Sequence, residues 1–188
     1  MEEYKATNKS MASTATQVEG RGTWAPPPEN VFKVNVDGAI FTGQKATGVG
    51  MIIRDDKGRL EAAMSKKINA PLGAVEAGAM AYETGLMFAK DIGIQDFIIE
   101  GDSLVIHHAL CEASTPPSSV AAVVQGMKEI CREFCGVEFS HVRRQGNKPA
   151  HLLIKHAFGI VDFIAWIEEN PYFLEQALIY DVTSSSTF

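Results

Sequence analysis

Apolar and polar residues alternate over residues 32–37, and this period of two predicts a strand with one buried face. Gly38 is expected to end that strand. Residues 48–54 and 60–65 form two more apolar segments, and the turn sequence DDKG at residues 55–58 joins them. The pattern therefore predicts three antiparallel strands connected by tight turns.

The rest of the chain alternates between helical and strand patterns. Helices are predicted over residues 74–90, 104–110, 120–134 and from 150 to 158 or beyond, and strands over residues 97–100 and 137–142. Three antiparallel strands followed by two more give an α/β fold with a five-stranded mixed sheet flanked by helices. Repeated βαβ units and a glycine-rich phosphate loop are missing from this order, so nucleotide-cofactor folds are disfavoured.

Both ends of the chain are expected to lie outside the folded domain. Residues 1–23 are polar, begin with two acidic residues after Met1, and contain no apolar core of the kind that a secretion signal needs. We therefore expect a disordered tail over residues 1–23, a folded domain over residues 24–182 and a flexible C-terminus over residues 183–188.

Composition and charge narrow the class of protein and its location. The net charge of −6 argues against a protein that holds nucleic acid mainly through overall positive charge. The longest apolar runs are shorter than the roughly 20 residues of a membrane helix, so no membrane partner is expected. Three cysteines without a CxxC pair favour reduced thiols. A cytoplasmic or nuclear location, not a secreted one, is predicted.

Three acidic residues stand at the ends of predicted elements. Asp37 ends the first strand, Glu76 lies in the first turn of the long helix, and Asp102 follows the fourth strand. Singly, they are compatible with a turn former, a helix-start charge and a capping residue. Together they can converge, and clustered carboxylates repel unless a cation neutralises them. Oxygen ligands of this kind suit Mg²⁺ or Mn²⁺.

Five motifs carry a resemblance to a known family. They are FKVNVDGA, GVGMIIRDDKGR, AVEAGAMAYETGL, FIIEGDS and HVRRQGNKPAHLLIKHA. In order and spacing they resemble a type 1 ribonuclease H domain and, more closely, the plant reverse-transcriptase-like group of the ribonuclease H-like superfamily. The resemblance covers residues 24–182. It implies a ribonuclease H-like fold and a hydrolase that cuts the RNA strand of RNA–DNA hybrids.

The resemblance also implies roles for the acids. Asp37 would bridge two Mg²⁺ ions, for which Mn²⁺ can substitute, Glu76 would hold one ion and help place the attacking water, and Asp102 would be the third ligand. His151 stands where family members carry a fourth acid and is counted among the candidate catalytic residues. Because imidazole is a poor ligand for Mg²⁺, two interpretations of His151 remain open: a weak metal ligand, or a helix-start residue without a metal role.

Nucleic-acid contacts are expected from Asn35, Arg143, Arg144 and Asn147. Arginines suit phosphates and polar groups suit 2′-hydroxyls, although the two arginines are equally compatible with solvated loop charges. The leading hypothesis is a metal-dependent endonuclease for the RNA strand of RNA–DNA hybrids. The alternative is a catalytically weak nucleic-acid-binding or protein-interaction domain derived from a retroelement. The acidic balance, His151 and the lack of a basic protrusion favour the alternative.

Overall fold

The computed structural model describes residues 20–186, and its centre is a six-stranded mixed sheet. The strands are β1 (Phe32–Phe41), β2 (Ala46–Arg54), β3 (Leu60–Ile68), β4 (Asp96–Gly101), β5 (Gly136–His141) and β6 (Phe163–Ile167). They lie in the order β5-β4-β1-β2-β3-β6. The pairs β1–β2, β2–β3 and β3–β6 are antiparallel, whereas β1–β4 and β4–β5 are parallel. The predicted mixed α/β sheet is confirmed.

Within the described residues, five helices cover the sheet. They are α1 (Ala74–Asp91), α2 (Leu104–Leu110), α3 (Ala121–Cys131), α4 (Lys148–Ala157) and α5 (Glu175–Ser185). The larger apolar core includes residues of β1, β2 and β4 together with α1, α2 and α3, and a smaller one joins β2 and β3 to α4 and the start of α5. Within residues 20–186, every helix is too short or too polar to cross a membrane.

Close backbone approach fixes where α1 and α4 pack. A Cβ on Gly38 would collide with the carbonyl oxygen of Ala77 in α1, and a Cβ on Gly50 would collide with the carbonyl oxygen of Ala150 in α4. Gly50 lies opposite Asp37 in the register of β1 and β2. Residues opposite each other share a face of the sheet, so Asp37 lies on the face that α4 covers.

Two sequence predictions about the strands are wrong. The sheet has six strands, not five, because residues 163–167 form an additional edge strand. Their sequence, FIAWI, has no polar alternation, and a short apolar run gives no periodicity that separates strand from helix. Gly38 also does not end β1, which continues to Phe41. Gly38 is needed because α1 packs closely against it, and it does not mark a turn.

The folded region extends beyond both predicted domain boundaries. Arg21 forms a parallel bridge with Val142, and α5 continues to Ser185, whose hydroxyl donates a hydrogen bond to the carbonyl oxygen of Trp24 at 2.7 Å. The boundaries at residues 24 and 182 were therefore too narrow. The disorder predicted for the N-terminal tail concerns residues 1–19, which lie outside the described residues.

A buried polar network joins the N-terminal lead to α5 across the sheet. Arg54 is fully buried, and its guanidinium donates to Asp181 Oδ2 at 2.8 Å and to Asn35 Oδ1 at 3.1 Å. The same guanidinium lies 4.0 Å from the ring centroid of Trp24. A buried charge is tolerated when it is paired and hydrogen-bonded. This network therefore holds the two ends of the folded region on the sheet.

Candidate metal and nucleic-acid site

Asp37 and Asp102 lie side by side where β1 continues past the end of β4. The register pairs Val36 with Gly101. Asp37 directly follows Val36, and Asp102 directly follows Gly101. The two carboxyl groups are close enough for the charge of Asp102 to affect the charge state of Asp37. Burial, and next the charge of Asp102, raise the pKa of Asp37 to about 7. The predicted proximity of these two acids on neighbouring central strands is confirmed.

An open pocket of about 280 Å³ lies beside the acid pair. Its walls come from β1, the start of α1, the end of β4 and the loop before α4, and include Val36, Asp37, Gly38, Ala74, Val75, Gly78, Ala81, Tyr82, Gly101, Asp102, Ser103 and Arg144. A larger groove of about 600 Å³ lies between the segment leading into β1 and the β2–β3 turn. That groove contains neither member of the acid pair, so the candidate chemistry belongs to the smaller pocket.

Glu76 does not join the acid pair, and the predicted convergence of three carboxylates is wrong. Its side chain is absent from the pocket wall and folds back over Gly73 at the start of α1. A hydrogen bond from Ser119, and a second from its own backbone N–H, hold the pKa of Glu76 below its ordinary value. Glu76 therefore makes its contacts at the start of α1 and not in the pocket.

The α1 residue that lines the pocket near the acids is Gly78. Residues two apart on a helix point to different sides, so Glu76 and Gly78 cannot both face the pocket. A Cβ on Gly78 would lie 3.0 Å from the hydroxyl oxygen of Ser103, which limits the space there. Sequence reasoning missed this position because it took the only acid in the first helical turn to be the inward one. The available signal was the pair Ala77 and Ala81, which lie one helical turn apart. They place the inward face of α1 next to Gly78.

His151 contacts the acid pair from the first turn of α4. Its Nδ1 lies 3.3 Å from Asp37 Oδ2 and 3.3 Å from Nη2 of Arg144. A guanidinium can only donate, so Nδ1 is the acceptor of that bond, and its contact with Asp37 is a hydrogen bond only when the carboxyl group carries the proton. Burial, followed by the charges of Arg144 and Lys155, lowers the pKa of His151. The imidazole is therefore neutral near pH 7.

The four predicted nucleic-acid contacts separate into two groups. Asn35 and Asn147 are buried: Asn35 accepts hydrogen bonds from Trp24 and Arg54, and the Asn147 amide donates to the carbonyl oxygen of Val36 at 2.9 Å. Both side chains are buried in the fold, so neither is exposed to a ligand in this structure. Arg143 and Arg144 are exposed in the loop before α4.

The acid pair fits a divalent cation. Among residues 20–186, no group of three or more His, Cys, Asp or Glu side chains is arranged to hold a metal. Two adjacent carboxylates with a raised pKa nevertheless offer hard oxygen ligands whose repulsion a divalent cation relieves. The donor chemistry of Asp37 and Asp102 therefore suits a divalent cation such as Mg²⁺ or Mn²⁺.

The fold, with its acid pair on neighbouring strands, defines a ribonuclease H-like domain. It is similar to RNase H1 from the halophilic archaeon Halobacterium salinarum NRC-1 (23% identity, TM-score 0.63, 68% of this chain and 96% of that one). It is also similar to LC11-RNase H1, an enzyme isolated from compost and solved in complex with an RNA/DNA hybrid (19% identity, TM-score 0.62, 67% and 95%). A third similar structure is the N-terminal RNase H domain of rv2228c from Mycobacterium tuberculosis (17% identity, TM-score 0.61, 67% and 91%).

Within this fold class, the chain belongs to the Reverse transcriptase-like family, which matches residues 35–157, more than half of its length. The matched region contains the acid pair and α4, whereas Trp24, β6 and α5 lie outside it. A comparison with curated proteins found no match. At these identities the solved structures establish the shared fold. The family resemblance drawn from the sequence motifs is confirmed.

Proposed function

We propose that this protein is a divalent-cation-dependent endonuclease of low turnover that hydrolyses the RNA strand of RNA–DNA hybrids. The observation that carries the proposal is the contact between Asp37 and Asp102 at an open pocket, with the pKa of Asp37 raised to about 7. Burying two like charges together costs stability. A fold retains such a pair at modest cost when a cation occupies it in the working state.

Arg143 and Arg144 would supply the contacts to the nucleic-acid backbone. Arg144 lies on the pocket wall, and both arginines are exposed. Arginine binds phosphate oxygens through several donors. Since the net charge of the chain is −6, the protein as a whole repels nucleic acid. Hybrid binding is therefore weak, and its salt dependence, which scales with the number of phosphates contacted, is modest.

The residues of the pocket divide the chemical work. Asp37 and Asp102 would hold the cation, which when bound supplies Lewis-acid stabilisation of charge on phosphate oxygens and a lowered pKa of bound water. His151 is neutral near pH 7 because burial and Arg144 lower its pKa, and its Nδ1, which accepts from Arg144, lies beside Asp37. Arg144 orients the imidazole and adds positive charge beside the substrate phosphate.

Low turnover follows from what α1 presents to the pocket. With Gly78 on the pocket wall and Glu76 turned towards Ser119, no α1 carboxylate reaches the acid pair. Two carboxylates hold one divalent ion more readily than two. A single ion cannot stabilise the attacking and the leaving oxygen together, which is the advantage of a two-ion site.

The orientation of Glu76 also supports a second candidate function. A chain with Gly78 on the pocket wall and His151 beside Asp37 could bind nucleic acid without cutting it. It would then be a catalytically weak binding domain derived from a retroelement. Its cation would organise the pocket and reduce repulsion of phosphates, but would not activate water.

Cleavage and binding measured together separate the two functions. Purified full-length protein would be incubated with an RNA–DNA hybrid labelled on the RNA strand, with Mg²⁺ or Mn²⁺, and with Asp37→Asn as the matched control. Cation-dependent RNA cleavage that Asp37→Asn abolishes supports the nuclease. Hybrid binding without cleavage under either ion supports the binding domain, and absence of both would contradict both functions.

A further inference from the structure

Strand β6 is an apolar edge strand without the usual protection. Phe163, Ile164 and Ile167 are 54%, 41% and 53% exposed, and no strand in residues 20–186 pairs with the outer side of β6. Natural edge strands commonly carry a proline, a bulge or an inward-pointing charge that prevents pairing with another chain. The five residues of β6 include no proline and no charged residue, and their register with β3 is continuous.

The backbone of β6 presents regular hydrogen-bonding groups to solvent. The N–H of Glu168 donates to the carbonyl oxygen of Glu61, and Asp162 accepts from the N–H of Lys67, so these even-numbered residues point towards β3. Successive residues of a strand direct their N–H and C=O groups to opposite sides. Phe163, Ala165 and Ile167 therefore direct theirs outward, as a template for one more strand.

Charges beside β6 discriminate between possible partners. Glu168 and Glu169 follow the strand, and Glu61 of β3 lies beside Glu168, which makes this end acidic. Antiparallel pairing with a second copy, centred on Ala165, would place Asp162 opposite Glu168 of that copy. A parallel copy would place Glu168 beside Glu168. Like charges directly opposite each other destabilise a strand pair, so each arrangement carries an unfavourable charge contact on β6 itself that a basic peptide avoids.

We propose that the outer edge of β6 binds an extended peptide segment of a partner protein. The segment adds as a strand, with alternating apolar residues against β6 and lysine or arginine at the end that lies beside Glu168 and Glu169. Backbone hydrogen bonds supply affinity in this mode of recognition, and the flanking side chains supply specificity. The surface lies on β6, outside the matched family region and separate from the acid pair.

The backbone part of the proposal is tested with Ala165→Pro. This change removes an outward N–H but no bond to β3, and proline is tolerated where the N–H of an edge strand faces solvent. The probe is a short fluorescent peptide of alternating valine and threonine with two lysines at one end. Fluorescence anisotropy should show binding to the full-length chain and a loss of about tenfold in Ala165→Pro. Ala165→Val keeps the N–H and is the matched control.

The charge part is tested with the double variant Glu168→Gln, Glu169→Gln. It should weaken binding of the lysine peptide and reduce its salt dependence, with little effect on a matched peptide that carries glutamines instead of lysines. Melting curves check that every variant folds. Failure of the wild-type chain to bind the peptide, or equal binding by folded Ala165→Pro, overturns the proposal. A dimer that Ala165→Pro dissociates, without peptide binding, identifies a second copy as the occupant and also overturns it.

Discussion

Two polar clusters lie on the same face of β1 and differ in how their charges are balanced. At the beginning of the strand, Lys33 pairs with Glu100 at 3.0 Å, and the buried Arg54 pairs with Asp181 at 2.8 Å. Four residues after Lys33, Asp37 meets the like charge of Asp102. Both clusters are largely buried, but only the first pairs each buried carboxylate with a cation, because at the second the charge of Arg144 opposes the rise in the pKa of Asp37 without reversing it.

The difference separates polar residues that hold the fold from those that await a ligand. Burial raises the pKa of Asp181, and the Arg54 guanidinium opposes that rise. Burial also raises the pKa of Asp37, and there the neighbouring carboxylate adds to the rise. A paired buried charge is a structural element, whereas the unbalanced pair beside an open pocket is where we propose that a cation binds.

The largest expected effect is the loss of stability in Arg54→Met. It leaves Asp181 buried without its partner, which costs about 3–5 kcal/mol of unfolding free energy, measured by urea denaturation. The double variant Arg54→Met, Asp181→Leu should recover most of that loss, because it removes both charges. An Arg54→Met protein as stable as wild type would show that the network does not stabilise the fold, and would contradict the distinction between the two clusters.

Asp37→Asn should remove a pH dependence of stability that the balanced cluster does not produce. The folded pKa of about 7 exceeds the ordinary aspartate value of 3.8, so between these two pH values the folded state holds a proton that the unfolded chain has lost. The contribution of Asp37 to stability is therefore fully present below pH 3.8 and is lost as the pH rises to about 7. At pH 8, Asp37→Asn should be more stable than wild type by on the order of 2–4 kcal/mol. Thermal melts between pH 4 and 8 measure this, and parallel curves for the two proteins would contradict it.

A carboxylate placed on the pocket wall should sharpen the contrast between the clusters. Gly78→Asp combined with Ser103→Gly, which relieves the contact with the Ser103 side chain, adds a third oxygen ligand beside the acid pair. Affinity for Mn²⁺ should rise about tenfold, or about 1.4 kcal/mol, in a calorimetric titration. Glu76→Gln is the control and should leave the affinity unchanged, since Glu76 faces Ser119. A large loss of affinity in Glu76→Gln would restore Glu76 to the site.

An effect of the same size as that of the Gly78→Asp variant is expected from His151→Asp. The change replaces a neutral imidazole beside Asp37 with a carboxylate and should raise Mg²⁺-dependent hybrid cleavage by about tenfold, or about 1.4 kcal/mol of barrier. Single-turnover cleavage at fixed metal concentration measures it. The ratio of Mn²⁺ to Mg²⁺ activity should fall at the same time, because imidazole suits Mn²⁺ better than Mg²⁺. Unchanged activity would remove His151 from the metal site.

Sequence reasoning succeeded where local pattern and order determine the structure. The alternation over residues 32–37 and the turn at residues 55–58 predicted the antiparallel strands, and the position of Asp102 directly after β4 placed it next to Asp37. Parallel pairing of β1 and β4 brings these two positions together regardless of details of side-chain packing. The acid pair could therefore be predicted.

The differences between prediction and structure depend on packing that a local pattern does not contain. Asn35 lies two residues before Asp37 and therefore on the same face of β1, which favoured a substrate contact. In the structure, Trp24 and Arg54 from other segments bury its side chain. The inward face of α1 depends on which residues meet β1, and that selects Gly78 instead of Glu76. The apolar residues of β6 resemble an ordinary buried segment, although they form an exposed edge.

The central claim is that Asp37 and Asp102 form a cation site, and direct titration of the Asp37 carboxyl group tests it. Carbon-13 NMR of the full-length protein should give a pKa of about 7 without a divalent ion and a markedly lower value with saturating Mg²⁺. Asp102→Asn should lower the pKa without Mg²⁺ and weaken the response to the ion. A raised pKa that Mg²⁺ leaves unchanged, with an equally unresponsive Asp102→Asn protein, would contradict the claim.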